Sequence, residues 1–198
     1  KFQEEQSGYL AGYAAVKEGY RNLGFIGGIN VPAVIRFGYG YIIGADEAAQ
    51  ELDLGQGAVK IKYDYAGGFN ATDDLKSKMD SWYTGGTEVV FACGGAIYLS
   101  VTKAAEEQNK KVIGVDSDQA AESETIITSA MKDLTQSVKL ALTSFYENGL
   151  KWDDNRGGKT AVLGAKDKAI GLPTAETSWR FTTFTRAEYE TIFDKLAD

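Results

Sequence analysis

Short apolar runs alternate along this chain with stretches in which apolar positions recur every three or four residues. Gly24-Phe25-Ile26-Gly27-Gly28 reads as a buried strand closing on glycines. Behind it, Phe37, Tyr41, Ala45, Ala48 and Leu52 follow at spacings of four, four, three and four, the face of a helix. Val59, Ile61, Tyr63 and Tyr65 alternate with Lys60, Lys62 and Asp64, the period of a half-buried strand. Thr72 then caps a helix bearing Leu75, Met79 and Trp82. Val89-Val90-Phe91-Ala92 is a third strand, ending at Cys93-Gly94-Gly95, with a helix through Ile97, Val101 and Ala105 after it. Val112-Ile113-Gly114-Val115 is a fourth, ending at Asp116. Strands and helices alternating at this spacing predict the α/β class, a doubly wound parallel sheet covered on both faces with right-handed crossovers.

Beyond Asp116 the pattern changes. Leu134, Val138, Ala141 and Phe145 predict one more amphipathic helix, and Trp152 to Lys159 reads as a polar, glycine-containing turn region. Thr160 to Leu163 and Ala169 to Leu172 read as short strands flanking a polar turn. Thr185-Arg186-Ala187-Glu188 matches a capping box, which opens a last helix with Tyr189, Ile192, Phe193 and Leu196. No long linker or low-complexity segment interrupts the 198 residues, a length that suits one large domain or one lobe with extra segments.

Composition narrows the function more than the fold. Hydrophobic residues at 43% and charged residues at 25% are ordinary for a globular protein, and no apolar run approaches the ~18 residues of a membrane span. A net charge of -7 provides no basic stripe to neutralise phosphates, so nucleic acid is not an expected partner. The chain has no histidine, which removes the commonest general base and the commonest zinc ligand. Cys93 stands alone, without a histidine to activate it, and no serine triad can form. The chain starts at Lys1 without an initiator Met, a signal peptide or a lipid-attachment cysteine, so its natural amino terminus is expected upstream.

In open parallel sheets, ligands sit beyond the carboxyl ends of the strands, where loops converge and helix amino termini point inward. That rule selects Ile29 to Arg36, Ala66 to Asn70, Gly94 to Ala96 and Asp116 to Gln119. The Gly94-Gly95 pair either lets backbone amides approach a ligand or only makes a tight turn. Asp116 and Asp118 either read a hydroxyl-bearing small molecule or cap a helix. Phe37 has the default reading of a core residue on the apolar stripe. Other strings are decoys. Gly157-Gly158-Lys159-Thr160 ends like a phosphate loop, but Asp153 stands where that motif needs glycine. Gly38 to Gly44 is one residue too long for a dinucleotide fingerprint and lies within a helical pattern. Asn70-Ala71-Thr72 matches a glycosylation sequon and is given no weight.

Six strings in order resemble one family. They are Glu5-Gln6-Ser7-Gly8-Tyr9-Leu10-Ala11-Gly12, Arg36-Phe37-Gly38-Tyr39-Gly40, Phe91-Ala92-Cys93-Gly94-Gly95, Val112 to Gln119, Thr128-Ser129-Ala130-Met131-Lys132 and Gly171-Leu172-Pro173. Together they resemble the basic membrane protein family, which includes purine nucleoside receptor lipoproteins. The resemblance implies a type I periplasmic-binding-protein fold, two α/β lobes closing on a ligand that is handed to an ABC-type permease. It implies that residues 1–198 form mainly the second, carboxyl-terminal lobe with crossover segments, the first lobe being absent. It further implies an extracytoplasmic location, with membrane attachment only through a lipid on the missing amino terminus. Carried over by matching motif, Phe37 would stack on a nucleobase, Gly94 would offer a backbone contact, Asp116 would accept hydrogen bonds from ribose hydroxyls, and Lys132 would make a polar contact near the hinge. Asp118 and Gln119 remain caps or supporting groups.

The expected function is therefore non-enzymatic capture of a purine nucleoside (guanosine, inosine or adenosine) without any cofactor. One alternative is a ligand-sensing module of a signalling or regulatory protein, a use of the same fold. Another is an enzyme in which Asp116 and Asp118 hold magnesium.

Overall fold

The computed structural model describes residues 1–154 and 156–198; Asn155, inside the region 152–159 read as a turn, lies outside the described residues. Helix α1 (Glu4–Glu18) leads into β1 (Asn22–Gly27), α2 (Pro32–Glu51), β2 (Lys60–Tyr65), α3 (Asp73–Thr84) and β3 (Val89–Cys93). A 3-10 turn, Gly95–Ile97, enters α4 (Tyr98–Glu107), which is followed by β4 (Lys111–Asp116), β5 (Ile126–Lys132), α5 (Leu134–Glu147), a second 3-10 turn (Ala165–Asp167), β6 (Ile170–Gly171) and α6 (Arg186–Ala197).

Among the described residues one six-stranded sheet forms, in the order β2-β1-β3-β4-β5-β6. The first five strands are mutually parallel, as alternation with helices requires, but β6 pairs antiparallel with β5. The sheet is thus mixed and mainly parallel. Residues 160–163 form no strand; Leu163 makes only an isolated bridge to Phe2.

Successive side chains of a strand face opposite ways, and the core divides accordingly. Phe25, Val89, Phe91 and Cys93 face a layer built by α1, α2 and α6, whereas Ile26, Val90, Ala92 and Val112 face α3 and α4. Each of these strand residues is at most 1% exposed, which makes β1, β3 and β4 central strands buried on both faces. β2 is different: it lies at the sheet edge and its residues are exposed or half-buried.

The α1–α2 contact sets the position of everything on α2. Gly8 and Gly12 face the backbone of α2, and Gly40 and Gly44 face the backbone of α1. A methyl group added at any of the four would lie 1.9–2.1 Å from a carbonyl oxygen of Phe37, Tyr41, Glu5 or Tyr9. The Gly38 to Gly44 string is therefore a helix-packing surface. Arg36 reinforces the crossing through a 2.7 Å bond from its Nε to the nearly buried Glu4.

Glu18, at the far end of α1, fixes the segment before α6. Its two carboxylate oxygens accept the backbone N–H groups of Thr182, Thr183 and Phe184 at 2.8–2.9 Å, and Thr185 and Glu188 then form the capping box expected for α6. Burial pushes the Glu18 carboxyl up, but these donors outweigh it and hold it below the usual carboxylate range.

Tyr41 carries a local conflict. Its side chain is fully buried beside Phe25 and Phe91, yet its hydroxyl has no hydrogen-bond partner among the described residues. Desolvation raises its pKa far above the ordinary phenol value. Tyr41→Phe removes that unsatisfied group without changing the ring. It is expected to raise the thermal midpoint by about 2–4 °C, the equivalent of ~1 kcal/mol in a chain of this size. A lowered midpoint in a melt followed by circular dichroism would show instead that the hydroxyl is satisfied.

Helix α5 buries no residue. Leu134, Val138 and Leu142 form an exposed apolar stripe, 62%, 57% and 49% exposed, on the helix whose amphipathic pattern predicted a buried face.

Candidate functional site

The carboxyl ends of β3, β4 and β5 and the start of α2 open on one concavity of about 170 Å3. Its lining includes Val34, Phe37, Phe69, Cys93, Gly94, Val115, Asp116 and Lys132. All four residues singled out from the sequence therefore converge here. The volume lies below the ~300–1,000 Å3 of a complete small-molecule pocket.

Phe37 reaches the concavity from the first turns of α2, which opens with Pro32 at a position where no backbone donor is lost. The ring is only 2% exposed. Phe91 meets it edge-on at 5.9 Å, and the Lys132 ammonium stands 5.6 Å from its centroid. Phe37 is thus a core residue that also borders the cavity.

Asp116 ends β4 with φ +67, the left-handed region that a side-chain-bearing residue enters at a cost. That conformation brings its carboxylate within 2.8 Å of Lys132 Nζ at the end of the adjacent strand β5. The aspartate side chain is half exposed, whereas the lysine is 19% exposed. The pair supplies an acceptor and a donor side by side, each with further capacity for a guest.

Asp118 and Gln119 turn away. Asp118 accepts bonds from Ala120 N and the Ser178 hydroxyl, while Gln119 Oε1 accepts Val115 N at 2.9 Å and its own N–H donates to Ser129 Oγ at 3.0 Å. These contacts shape the loop after β4. With Asp118 so engaged, Asp116 and Asp118 do not form a paired metal clamp. Cys93 lies under the cavity, where burial above all, then the Asp116 charge, pushes its thiol well above its usual pKa. A thiol so protonated is a poor nucleophile.

Phe69 is the site residue that pattern reasoning missed. It belongs to no periodic element and lies in the loop between β2 and α3. Its ring is 37% exposed and covers Gly28 and Gly94; a methyl group at either glycine would lie 2.2 or 2.8 Å from the ring. Gly94 also has φ +144, which disfavours any side chain. The Phe69 carbonyl accepts Ala96 N–H at 2.7 Å, tying the loop to the turn after β3. The signal was available in retrospect: an isolated aromatic in one of the loops chosen by the strand-end rule.

A mainly parallel sheet with both faces covered and a cavity at its strand ends fits the type I periplasmic-binding-protein-like fold. The solved structures it is similar to bear this out. A solute-binding protein of an ABC transporter system from Aeropyrum pernix K1 aligns over 98% of this chain and 57% of its own, with a TM-score of 0.71 at 20% identity. A transcriptional activator of the comK gene from Bacillus halodurans aligns over 99% and 62%, with a TM-score of 0.74 at 19% identity. The family model described as "ABC transporter substrate-binding protein PnrA-like" matches residues 1–192, and the chain belongs to that family. Basic membrane protein B of Borreliella burgdorferi is 32% identical over 88% of the chain and 49% of its own length, and basic membrane protein D of the same species is 31% identical over 98% and 53%. The chain thus spans about half the length of the curated relatives it matches. Among the described residues no helix is long and apolar enough to cross a membrane.

Proposed function

We propose that this chain provides one wall of a purine-nucleoside site in the substrate-binding component of an ABC-type importer. The observation that carries the reading is the convergence of Phe37, Phe69, Gly94, Asp116 and Lys132 on one strand-end concavity. The fold does not choose between uptake and regulation, since structures of both kinds share it; family membership favours uptake. Aromatic edges suit a flat base, and a carboxylate beside an ammonium suits vicinal hydroxyls.

A second lobe then supplies the facing wall, and residues 1–198 form the carboxyl-terminal lobe with its crossover segments. The unpartnered stripe of α5 supports this arrangement, because an exposed apolar helix face of this kind is normally covered. In this reading the ligand passes to a permease, the protein works outside the cytoplasm, and any membrane attachment is by a lipid. Calorimetry on a two-lobed protein containing this chain, titrated with guanosine, inosine and adenosine, tests the assignment. Heat with at least one of them is expected; silence with all three while another solute binds would reject it. In the same experiment Phe69→Ala is expected to weaken binding about tenfold, the loss of an aromatic contact and its buried area. Unchanged affinity would make Phe69 a loop anchor only.

A further inference from the structure

The outer edge of the sheet has the features of an association surface. β2 occupies the end of the strand order and pairs with β1 through all six of its residues without a bulge or a proline. Lys60 and Ala66 donate their N–H groups to Arg21 and Gly27 on the β1 side. By the alternation of a parallel ladder, Ile61, Tyr63 and Tyr65 turn their backbone groups outward. The Tyr65 N–H is taken by the Asp64 carboxylate, leaving Ile61 and Tyr63 with groups directed at the edge.

Side chains distinguish the two faces of this edge. On the α2 side, Ile61 and Tyr63 border an apolar groove of about 600 Å3 whose other wall includes Ile42, Ala45, Ala49 and Leu54. Ile42 and Tyr63 are 40% and 36% exposed. On the α3 side stand Lys62, near the Trp82 carbonyl, and Asp64, paired with Lys78. A lysine on an edge strand ordinarily deters pairing. Here an aspartate two residues on offers it a partner from a second copy.

We propose that β2 is a homodimerisation edge, two copies pairing antiparallel about a two-fold axis at Tyr63. In that register Tyr63 exchanges backbone hydrogen bonds with Tyr63 of the other copy, the Ile61 N–H donates to the Tyr65 carbonyl of the other copy while the Tyr65 N–H stays with Asp64, and Lys62 faces Asp64 of the other copy, twice over. The axis stands perpendicular to the sheet, so like faces lie side by side and the two grooves merge. Moving the centre to Lys62 or to Asp64 would place that charged residue opposite itself, a destabilising pair. With the centre at Lys62, Lys60 would face Asp64 twice but Lys62 would face itself; the centre at Tyr63 pairs opposite charges without any like pair.

Sedimentation equilibrium of the 198-residue chain tests the inference. The native chain is expected to dimerise reversibly. Lys62→Glu and Asp64→Lys, both at exposed positions, are each expected to raise the dissociation constant about tenfold or more, because each places like charges opposite one another twice. An equimolar mixture of the two variants restores both attractive pairs and is expected to recover the dimer. A monomeric native chain, single variants that associate as the native chain does, or a mixture that stays dissociated would each overturn the proposal. Association through the apolar stripe of α5 would be indifferent to these substitutions and so falls among the overturning results.

Discussion

Gly40→Ala is expected to lower the stability of the fold sharply. On an isolated helix the change would stabilise by about 1 kcal/mol, because alanine is the better helix former. In this chain the new methyl group would lie 1.9 Å from the Glu5 carbonyl oxygen, 2.7 Å from its carbonyl carbon and 2.9 Å from its Cα. Backbone atoms have no rotamer to move, so relief requires α1 and α2 to separate. That separation would disturb the layer formed by Leu10, Ala14, Phe37, Tyr41 and Phe91. Overpacking costs typically ~1–3 kcal/mol, and a rigid backbone contact belongs at or above the top of that range. The steric cost exceeds the gain in propensity, and a net loss of more than about 2 kcal/mol is expected in urea unfolding. Gly12→Ala, whose methyl group would lie 2.0 Å from the Tyr41 oxygen, should behave alike. Gly55→Ala is the control, since nothing lies within 4 Å of its added methyl group. Equal stability of Gly40→Ala and the native chain would refute the close crossing.

The second large effect belongs to the cavity. In a two-lobed protein containing this chain, Asp116→Ala is expected to weaken nucleoside binding by about 10- to 150-fold, the equivalent of ~1.5–3 kcal/mol for a charged hydrogen-bonding partner. The side chain is half exposed and its principal contact is Lys132, so the fold should survive the change. Alanine also relaxes the cost of the left-handed backbone less than asparagine does, which makes Asp116→Asn the cleaner comparison: it keeps size and turn preference while removing the charge. Calorimetry should then rank the native protein above Asp116→Asn and Asp116→Ala. Equal affinities in all three would confine Asp116 to pairing with Lys132 and remove it from the binding assignment.

Much of this architecture was legible because its elements advertise contrast. β3 and β4 are apolar runs ended by glycine or aspartate, and α2 and α3 carry apolar residues on one side only. α1 was illegible for the opposite reason: from Ser7 to Val16 every residue is buried, so no polar face marks the period. β5 mixes Thr128 and Ser129 with apolar residues and reads as neither alternation nor run, although its Thr128 to Lys132 string was visible as a motif. The expected strand at 160–163 is reduced to a single bridge, because the stretch it pairs with, Lys1 to Gln3, gives way at once to α1.

The candidate site divides similarly. The strand-end rule located the four loops, and Gly94 and Asp116 were noticeable within them. Phe37 looked like core from its spacing, and it is nearly all core; family resemblance, not periodicity, drew attention to the edge it shows to the cavity. Lys132 entered the same way. Phe69 stood in one of those loops as an isolated aromatic, but what seats its ring, the absence of side chains at Gly28 and Gly94 from two other segments, shows only in three dimensions.

The ion pair between Asp116 and Lys132 has a consequence for the medium in which the protein operates. Its two charges already cancel, and a nucleoside is neutral, so little net charge is gained or lost when one enters. Dissolved salt weakens the attraction within such a half-exposed pair, but a neutral guest brings no charge of its own for salt to screen. The chain also lacks histidine, the side chain that ordinarily titrates between pH 5 and 8. Capture of a neutral solute by such a site would then depend little on ionic strength, and no histidine would gate it between pH 5 and 8.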